Sequence, residues 1–364
     1  MAQACVLASF LLLLLSGVTP ALPKRFLYPP AAFALLCAFV PPLFRQPLPP
    51  WGGGLLDLAQ LLLGLGMVLG VWGGLRPAPF GDRIAGRPLF SWRHLLVAFA
   101  VFWLVFVPLA GLWLVVAGAR GIEAQSGGFM LFHWDRLEMR AKKYVRGDGK
   151  EIDLVPMIHI GEGDFYGQVA ASFPADTVVL TEGISDRSRI APRLDYAPVA
   201  TALGLSSQST EFKGLAARTR AEVRPADVDY ADFSPEVREM IRAVAEFVAH
   251  PDRDHYRAFQ QEWYRLLSAD PGLQERFFDE VLVRRNAHVL KEADAALPEV
   301  QRVVLPWGAM HMPGLEKGVL SRGFRASETS RFDAIRYRTI LAALGQALRA
   351  PREAKAAGAA ASVN

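Results

Sequence analysis

The chain has 364 residues, a formal net charge of +4, 52% hydrophobic residues and two cysteines. Residues before 119 hold seven of the 40 basic and two of the 36 acidic residues, so the later part has a net charge of −1. That part has no basic surplus of the kind that nucleic-acid-binding proteins show, which argues against a nucleic-acid partner. Cys5 and Cys37 both precede residue 119, which excludes a cysteine nucleophile or cysteine-ligated zinc in the later part.

Residues 1–118 are predicted to be a membrane region with three or four transmembrane helices. Leu95–Gly118 contains 24 residues without a charge, enough to cross a hydrocarbon core of about 30 Å. Leu58–Leu75 is a second uncharged span. Residues 1–23 lack the basic start of a signal peptide, which favours a transmembrane helix that is retained over a signal peptide that is cleaved. Phe26–Phe44 is apolar but bracketed by proline pairs, which leave little uninterrupted helix. The number of transmembrane helices is therefore three without this segment and four with it.

Orientation and association are predicted from short motifs in this region. Arg76, Arg83, Arg87 and Arg93 crowd the connection between the last two spans, and the positive-inside bias assigns such a loop to the cytoplasm. The domain that follows is then expected outside the cytoplasm, as part of a multi-pass integral membrane protein. Gly66 and Gly70 have the small-residue spacing that would allow two copies to pack as a homo-oligomer.

Residues 119–350 are predicted to form one α/β domain, and the Ala-rich tail 351–364 to be disordered. A hairpin is expected from Leu137 to Ile158, turning at Asp148-Gly149. Apolar runs at 177–183 and 301–308 indicate buried strands. Helical patterns alternate with them, at 163–173, 235–250, 271–296, 313–322 and 331–348. This alternation predicts a mostly parallel sheet with a helical insertion between about 185 and 296.

Four candidate site residues lie at or just past the carboxyl ends of predicted strands: His159, Glu162, Glu182 and His311. Ligands bind at that edge of an open α/β sheet. Two imidazoles and a carboxylate are a common ligand set for a divalent metal ion, which would activate a bound water. His159, His311 and Glu182 are therefore candidate metal ligands, with a carboxylate, Glu162 or Glu182, as general base. A structural role for each side chain competes with these assignments.

A long predicted helix holds Arg285 and Asn286 within the segment VRRNAHV. A guanidinium on this helix would either fix Glu182 or hold a developing oxyanion, whereas a solvated basic stripe is the simpler alternative. The acidic cluster Asp227, Asp229 and Asp232 lacks the glycine and the terminal glutamate of a calcium loop. These three are interpreted as turn residues.

Four segments together resemble the TraB/TIKI (TraB/GumN) family, within the erythromycin-esterase/ChaN-like group: PMIHIGEGDFY, VVLTEGISD, VRRNAHV and PWGAMHMPGL. The resemblance covers residues 150–322 and implies an EreA/ChaN-like α/β fold with His159, Glu182, Arg285, Asn286 and His311 as site residues. In the TIKI branch it implies metal-dependent peptide hydrolysis outside the membrane. That branch has Gly-x-x-His at both histidine motifs, whereas the first motif here begins with Pro156.

The sequence thus predicts a membrane-anchored hydrolase that acts on peptide or ester bonds with a divalent metal ion, manganese, cobalt or zinc. Its partners would be a peptide or small-molecule substrate and the lipid bilayer. The alternative is a non-hydrolytic membrane protein, regulatory in role, that binds haem or iron in the same pocket. A third reading is a family member without a working site, in which the membrane spans carry the function.

Overall fold

The computed structural model describes residues 90–213 and 219–361, with side chains to residue 349, and the isolated positions Phe33, Leu58, Ala59 and Leu62. Contacts divide the chain into two compact units, Met1–Gly121 and Ile122–Asn364. The predicted spans at 1–23, 26–44 and 58–75, apart from those four positions, lie outside the described residues, as does most of the arginine-rich loop.

Among the described residues, one helix is long and apolar enough to cross a membrane: α1, Trp92–Gln125, with a mean hydropathy of 2.6 in its most apolar window. It contains the span predicted at Leu95–Gly118. A π-helical turn, Phe102–Phe106, ends two residues before Pro108. Proline has no N–H and clashes with the preceding turn, and a widened turn at that point accommodates the ring.

The described residues of the second unit form an α/β structure. Its strands are β1 (Met130–Phe132), β2 (Arg136–Val145), β3 (Glu151–Met157), β4 (Ile160–Gly161), β5 (Thr177–Thr181), β6 (Ser206–Ser207), β7 (Glu222–Pro225), β8 (Arg302–Gly308) and β9 (Arg325–Arg336). Its helices are α2 (Gly163–Ala171), α3 (Ala197–Ala202), α4 (Gln208–Glu211), α5 (Pro235–Ala249), α6 (Arg253–Ala269), α7 (Leu273–Phe278), α8 (Arg285–Ala296), α9 (Met312–Ser321) and α10 (Tyr337–Ala361).

The main sheet described here has seven strands in the order β1-β2-β3-β8-β5-β7, with β9 paired to β2. Strands β3, β8, β5 and β7 are mutually parallel, whereas β1, β2 and β9 pair antiparallel. The sheet is thus mixed and mostly parallel, as the alternation of strands and helices predicted. The four parallel strands end at the same edge, which brings the segments after them together.

The core lies on both faces of this sheet. Along β8, Val303, Leu305 and Trp307 pack against α8 and α9, whereas Val304 packs on the opposite face with α2. Alternation of this kind is expected because successive strand residues point to opposite faces. A strand covered by helices on both faces is apolar throughout, which explains the uninterrupted run VVLPWG.

The hairpin of β2 and β3 is confirmed, but its turn is longer than a two-residue loop. Arg146 and Lys150 face each other through the Arg146 N–H and the Lys150 carbonyl, and Gly149 has a φ of 84°. This is a three-residue loop with glycine in the left-handed region. Pro156 lies near the end of β3, beyond the residues that pair with β2, which end at Leu154. The absence of an N–H at Pro156 costs no hydrogen bond to β2, because β2 does not pair with β3 at that position.

The helical insertion predicted at 185–296 contains helices α3 to α8, but also the strands β6 and β7, which the sequence did not indicate. The predicted helix at 331–348 begins late, because residues 325–336 form β9. β9 pairs along the length of β2, and this long-range pairing overrides the local helical pattern. Helix α10 continues to Ala361 and so covers most of the tail expected to lack structure.

Candidate functional site

The carboxyl ends of the parallel strands bring together residues from distant parts of the chain. Glu182 follows β5, Asp227 follows β7, and Gly308 ends β8, three residues before His311. Arg285 begins α8, which packs over this edge of the sheet. Together these residues form a buried polar network centred on the Arg285 guanidinium.

All five N–H groups of the Arg285 guanidinium have acceptors. Nε donates to Asp227 Oδ1 at 2.9 Å, and Nη2 donates to Asp227 Oδ2 at 2.6 Å and to Glu182 Oε1 at 2.9 Å. Nη1 donates to the Val281 carbonyl at 3.3 Å and lies 3.2 Å from His311 Nε2. A guanidinium has five such protons, so this arrangement fixes Glu182 and leaves none for a substrate oxyanion.

A π-helical turn, Asp279–Arg284, directly precedes Arg285. Such turns are frequent at functional sites because they shift the direction of the side chains that follow. Arg285 and its neighbour Asn286 are both buried, and both reach His311. Arg285 also packs against Trp307. Its guanidinium lies 5.4 Å from the centre of the Trp307 ring, within the range of a cation–π interaction.

Asp227 belongs to this network, contrary to its interpretation as a turn residue. Its side chain is fully buried and pairs with Arg285 through both oxygens. Oδ1 also accepts from the Val228 N–H at 2.8 Å, and Oδ2 from the Gly183 N–H at 3.0 Å. An acceptor with four donors and no solvent is held as a carboxylate. Asp227 is therefore the main counter-ion of Arg285.

His311 is buried and neutral. Asn286 Nδ2 donates to the His311 carbonyl at 3.3 Å, so Asn286 Oδ1, 2.7 Å from His311 Nδ1, is the acceptor for that ring proton. This assigns the proton to Nδ1 and leaves Nε2 to accept from Arg285. Burial, opposed by the charge of Glu182 and helped by that of Arg285, lowers the pKa of His311 to about 4.

The Glu182 carboxylate is held from two sides. Oε1 accepts from Arg285, and Oε2 accepts from the Gly308 N–H at 2.5 Å. A side chain at position 308 would place its Cβ 3.2 Å from Oε2, so glycine is what allows this close approach. The Glu182 side chain keeps 12% exposure, against 6% for Arg285 and 0% for Asp227. Glu182 is thus the charged member of the network that opens outward.

The network has a net negative charge. Arg285 contributes one positive charge, Asp227 and Glu182 one negative charge each, and His311 is neutral. Burial lowers the pKa of Arg285, but its ion pairs with Asp227 and Glu182 outweigh this and raise it. Asp227 already compensates the guanidinium through two hydrogen bonds, so the surplus charge lies on Glu182.

Glu182 and Arg285 line a cavity of about 730 Å³, within the size range of small-molecule sites. Its walls are largely apolar and include residues from the insertion helices, among them Ile241, Val244 and Phe277. His159 lines the same cavity. Its exposed ring stacks on Tyr196, with ring centres 4.5 Å apart and planes 12° apart. Burial and the charge of Glu182 raise the pKa of Tyr196.

Glu162 does not belong to this cavity. Its Oε1 accepts from the Arg336 N–H at 3.1 Å and from the Thr339 hydroxyl at 2.7 Å. These donors lie at the end of β9 and in the first turn of α10. The carboxylate of Glu162 therefore joins β9 to α10, and it is not positioned as a general base for the cavity.

The donor atoms do not converge as a metal site does. Among the described residues, no group of three or more His, Cys, Asp or Glu side chains could hold a metal ion. His311 Nε2 and Glu182 Oε1 both face Arg285, a cation that takes the central position a metal ion would need. His159 instead stacks at the cavity wall. This arrangement does not fit a metal centre, and the metal roles of His159, His311 and Glu182 stay predictions.

The sequence reasoning identified Glu182, Arg285, Asn286 and His311, which the structure brings together, and His159, which shares the cavity. It missed Asp227, Tyr196 and Trp307. Asp227 carried no usable signal, because the segment before it, EVRP, is polar and lacks an apolar strand pattern. Comparison of the chain with protein-family models, with curated proteins and with solved structures finds no match.

Proposed function

We propose that this protein is a membrane-anchored hydrolase of ester or peptide bonds, similar to the TraB/TIKI family, whose site is the cavity above Glu182. One observation carries this proposal. Glu182 is the member of a buried, otherwise saturated ionic network that opens into an apolar cavity, and the exposed imidazole of His159 lines that cavity too. A fixed carboxylate and a histidine sharing a water-accessible cavity are the groups that general acid–base hydrolysis uses.

The family resemblance supports the same reaction class. Three of the four resembling segments supply the network itself, through Glu182, Arg285 with Asn286, and His311, and the fourth supplies His159. An EreA/ChaN-like fold is proposed on the same resemblance, beyond the α/β architecture described above.

The chemistry assigned to the residues follows from their contacts. Glu182, fixed by Arg285 and the Gly308 N–H, has free lone pairs that orient a water molecule against a bound carbonyl carbon. His159 exchanges protons with that water and with the leaving group, because an imidazole ring nitrogen can accept or donate a proton. Asp227, Asn286 and His311 are positioning residues, because each acts on the cavity through Arg285 or Glu182.

The test is an assay of the full-length protein in lipid nanodiscs against a panel of neutral esters and peptide amides. We expect turnover of at least one class, and a loss of at least about 100-fold in His159→Ala. Turnover should survive dialysis against a chelator. Activity that appears only when manganese, cobalt or zinc is added would establish the metal dependence predicted from the sequence. No turnover under either condition would refute the proposal.

The haem-binding alternative has a separate readout in the same sample. Haem bound through an imidazole gives a Soret band that His159→Ala abolishes. A titration that shows this band, together with an inactive ester and amide panel, would replace hydrolysis by haem binding as the function.

The membrane arrangement is part of the proposal. A multi-pass topology with the α/β domain outside the cytoplasm follows from the predicted spans and the arginine-rich loop. Ser268 is exposed and lies in a part of the chain without cysteine. Ser268→Cys should react with a membrane-impermeant maleimide in intact cells. Reaction that requires cell lysis would reverse the orientation.

A further inference from the structure

We infer that the cavity accepts an uncharged ester or amide that carries an apolar chain, and that it repels the carboxylate that hydrolysis releases. This inference rests on the proposed function and adds the substrate class. Two properties of the cavity carry it: the surplus negative charge on its floor and the apolar surface of its walls.

The floor charge acts on the end of the ligand that reaches Glu182. Every N–H of Arg285 is already donated within the protein, so the guanidinium has no hydrogen bond to offer an anionic ligand. Glu182 has lone pairs to offer, and these accept from water, hydroxyl or N–H groups. A carboxylate ligand would meet a like charge at a weakly solvated site, which costs affinity. Neutral and cationic groups meet no such penalty.

Charges at the cavity mouth do not reverse this preference. The loop that borders the cavity carries three basic residues, Arg187, Arg189 and Arg193, and all three are exposed. Arg187 lies 3.8 Å from Asp229, and Arg193 lies 4.0 Å from Asp195. Exposed charges surrounded by water have little effect on a site below them.

The walls act on the rest of the ligand. Ile241, Val244 and Phe277 come from helices of the insertion, and Ile184, Leu194 and Phe212 from the loops that border the cavity. A cavity of this composition gains free energy by taking apolar surface out of water. An acyl chain fits this requirement, and such substrates concentrate at the membrane to which the chain is anchored.

Hydrolysis then converts a neutral ligand into an anion that the Glu182 carboxylate repels. The water oxygen forms a bond to the acyl carbon and the acyl C–O or C–N bond breaks. One proton of the water goes to the leaving alcohol or amine, and the other ionises from the acid. The neutral substrate becomes a carboxylate beside Glu182, so the floor that binds the substrate favours release of the acid.

The test measures binding by calorimetric titration of the full chain in nanodiscs with octanamide, octanoate and octylammonium at pH 7.5. Empty nanodiscs provide the blank for partition into lipid. We expect octanamide to bind at least about tenfold more tightly than octanoate, and octylammonium to bind no more weakly than octanamide. Octanoate that binds as tightly as octanamide to the wild-type protein would overturn the inference, whatever the variants show.

Matched variants test whether Glu182 produces the charge preference and whether the cavity wall binds the apolar chain. Glu182→Gln should bring octanoate within about threefold of octanamide, whereas Glu162→Gln, at a carboxylate outside the cavity, should keep the wild-type ratio. Phe277→Ala should weaken octanamide by about tenfold. Phe278→Ala, which removes a neighbouring ring that is 51% exposed, should change it by less than about twofold. An unchanged ratio in Glu182→Gln, or equal losses in the two phenylalanine variants, would contradict the inference.

Binding and turnover can fail separately. The expected order of affinities with no turnover of any ester or amide would keep the charge-selective cavity and refute the hydrolase. Turnover without this order would keep the hydrolase and refute the substrate class.

Discussion

Replacement of Arg285 by glutamine tests whether the buried network is ionic. The substitution Arg285→Gln removes the cation that faces both Asp227 and Glu182 and leaves two carboxylates without a partner of opposite charge. Breaking a buried ion pair by removing one partner costs about 3–5 kcal/mol. For a domain of this size, in which 1 kcal/mol shifts the melting temperature by about 2–4 °C, the loss is roughly 10 °C.

The assay is thermal unfolding of the full chain in nanodiscs, with Arg284→Gln as the matched control. Arg284 is the preceding residue, is exposed, and donates to the Asp232 carbonyl at 2.7 Å, so its loss should cost less than about 1 kcal/mol. A loss no larger than that of Arg284→Gln would refute the ionic network.

Two further substitutions test the packing around Asn286 and the partly buried carboxyl group of Asp153. In Gly314→Ala, the added Cβ would collide with the amide of Asn286. We expect a loss of about 1–3 kcal/mol in denaturant unfolding, whereas Gly167→Ala, with open space around it, should cost nothing; equal results would refute the contact. Burial raises the pKa of Asp153 to about 6, above its value of about 4 in the unfolded chain. Its carboxylate therefore destabilises the fold above pH 6, and this cost disappears as the pH falls below 4. Asp153→Asn should raise stability at pH 7.5 by about 1–3 kcal/mol and leave it unchanged at pH 4, and a loss at pH 7.5 would contradict this assignment.

The sequence predicted those parts of the fold that have a strong local pattern. Strands β5 and β8 are short apolar runs, and their length and β-branched residues distinguish them from helices. The residues that end them, Glu182 and the segment from Gly308 to His311, could be assigned to one sheet edge because parallel strands share the direction of their ends.

The parts that sequence reasoning missed depend on contacts between distant residues. β7 has the polar sequence EVRP and β9 is rich in charge, so neither carries an apolar strand pattern, and both are strands because of their pairing with β5 and β2. Without β7, Asp227 could not be recognised as a strand-end residue like Glu182. Glu162 follows a strand-end histidine in sequence, yet its carboxylate turns to the start of α10 because the Arg336 N–H and the Thr339 hydroxyl donate to it there.

The initial rate of ester hydrolysis in Glu182→Gln, compared with Glu162→Gln, is the most direct test of the account. Both substitutions remove one carboxylate charge from a partly buried glutamate, but one of these lines the cavity and the other joins β9 to α10. We predict a loss of at least about 100-fold in Glu182→Gln and a rate within about twofold of the wild type in Glu162→Gln. Equal rates in the two variants, or a larger loss in Glu162→Gln, would contradict the assignment of the cavity as the active site.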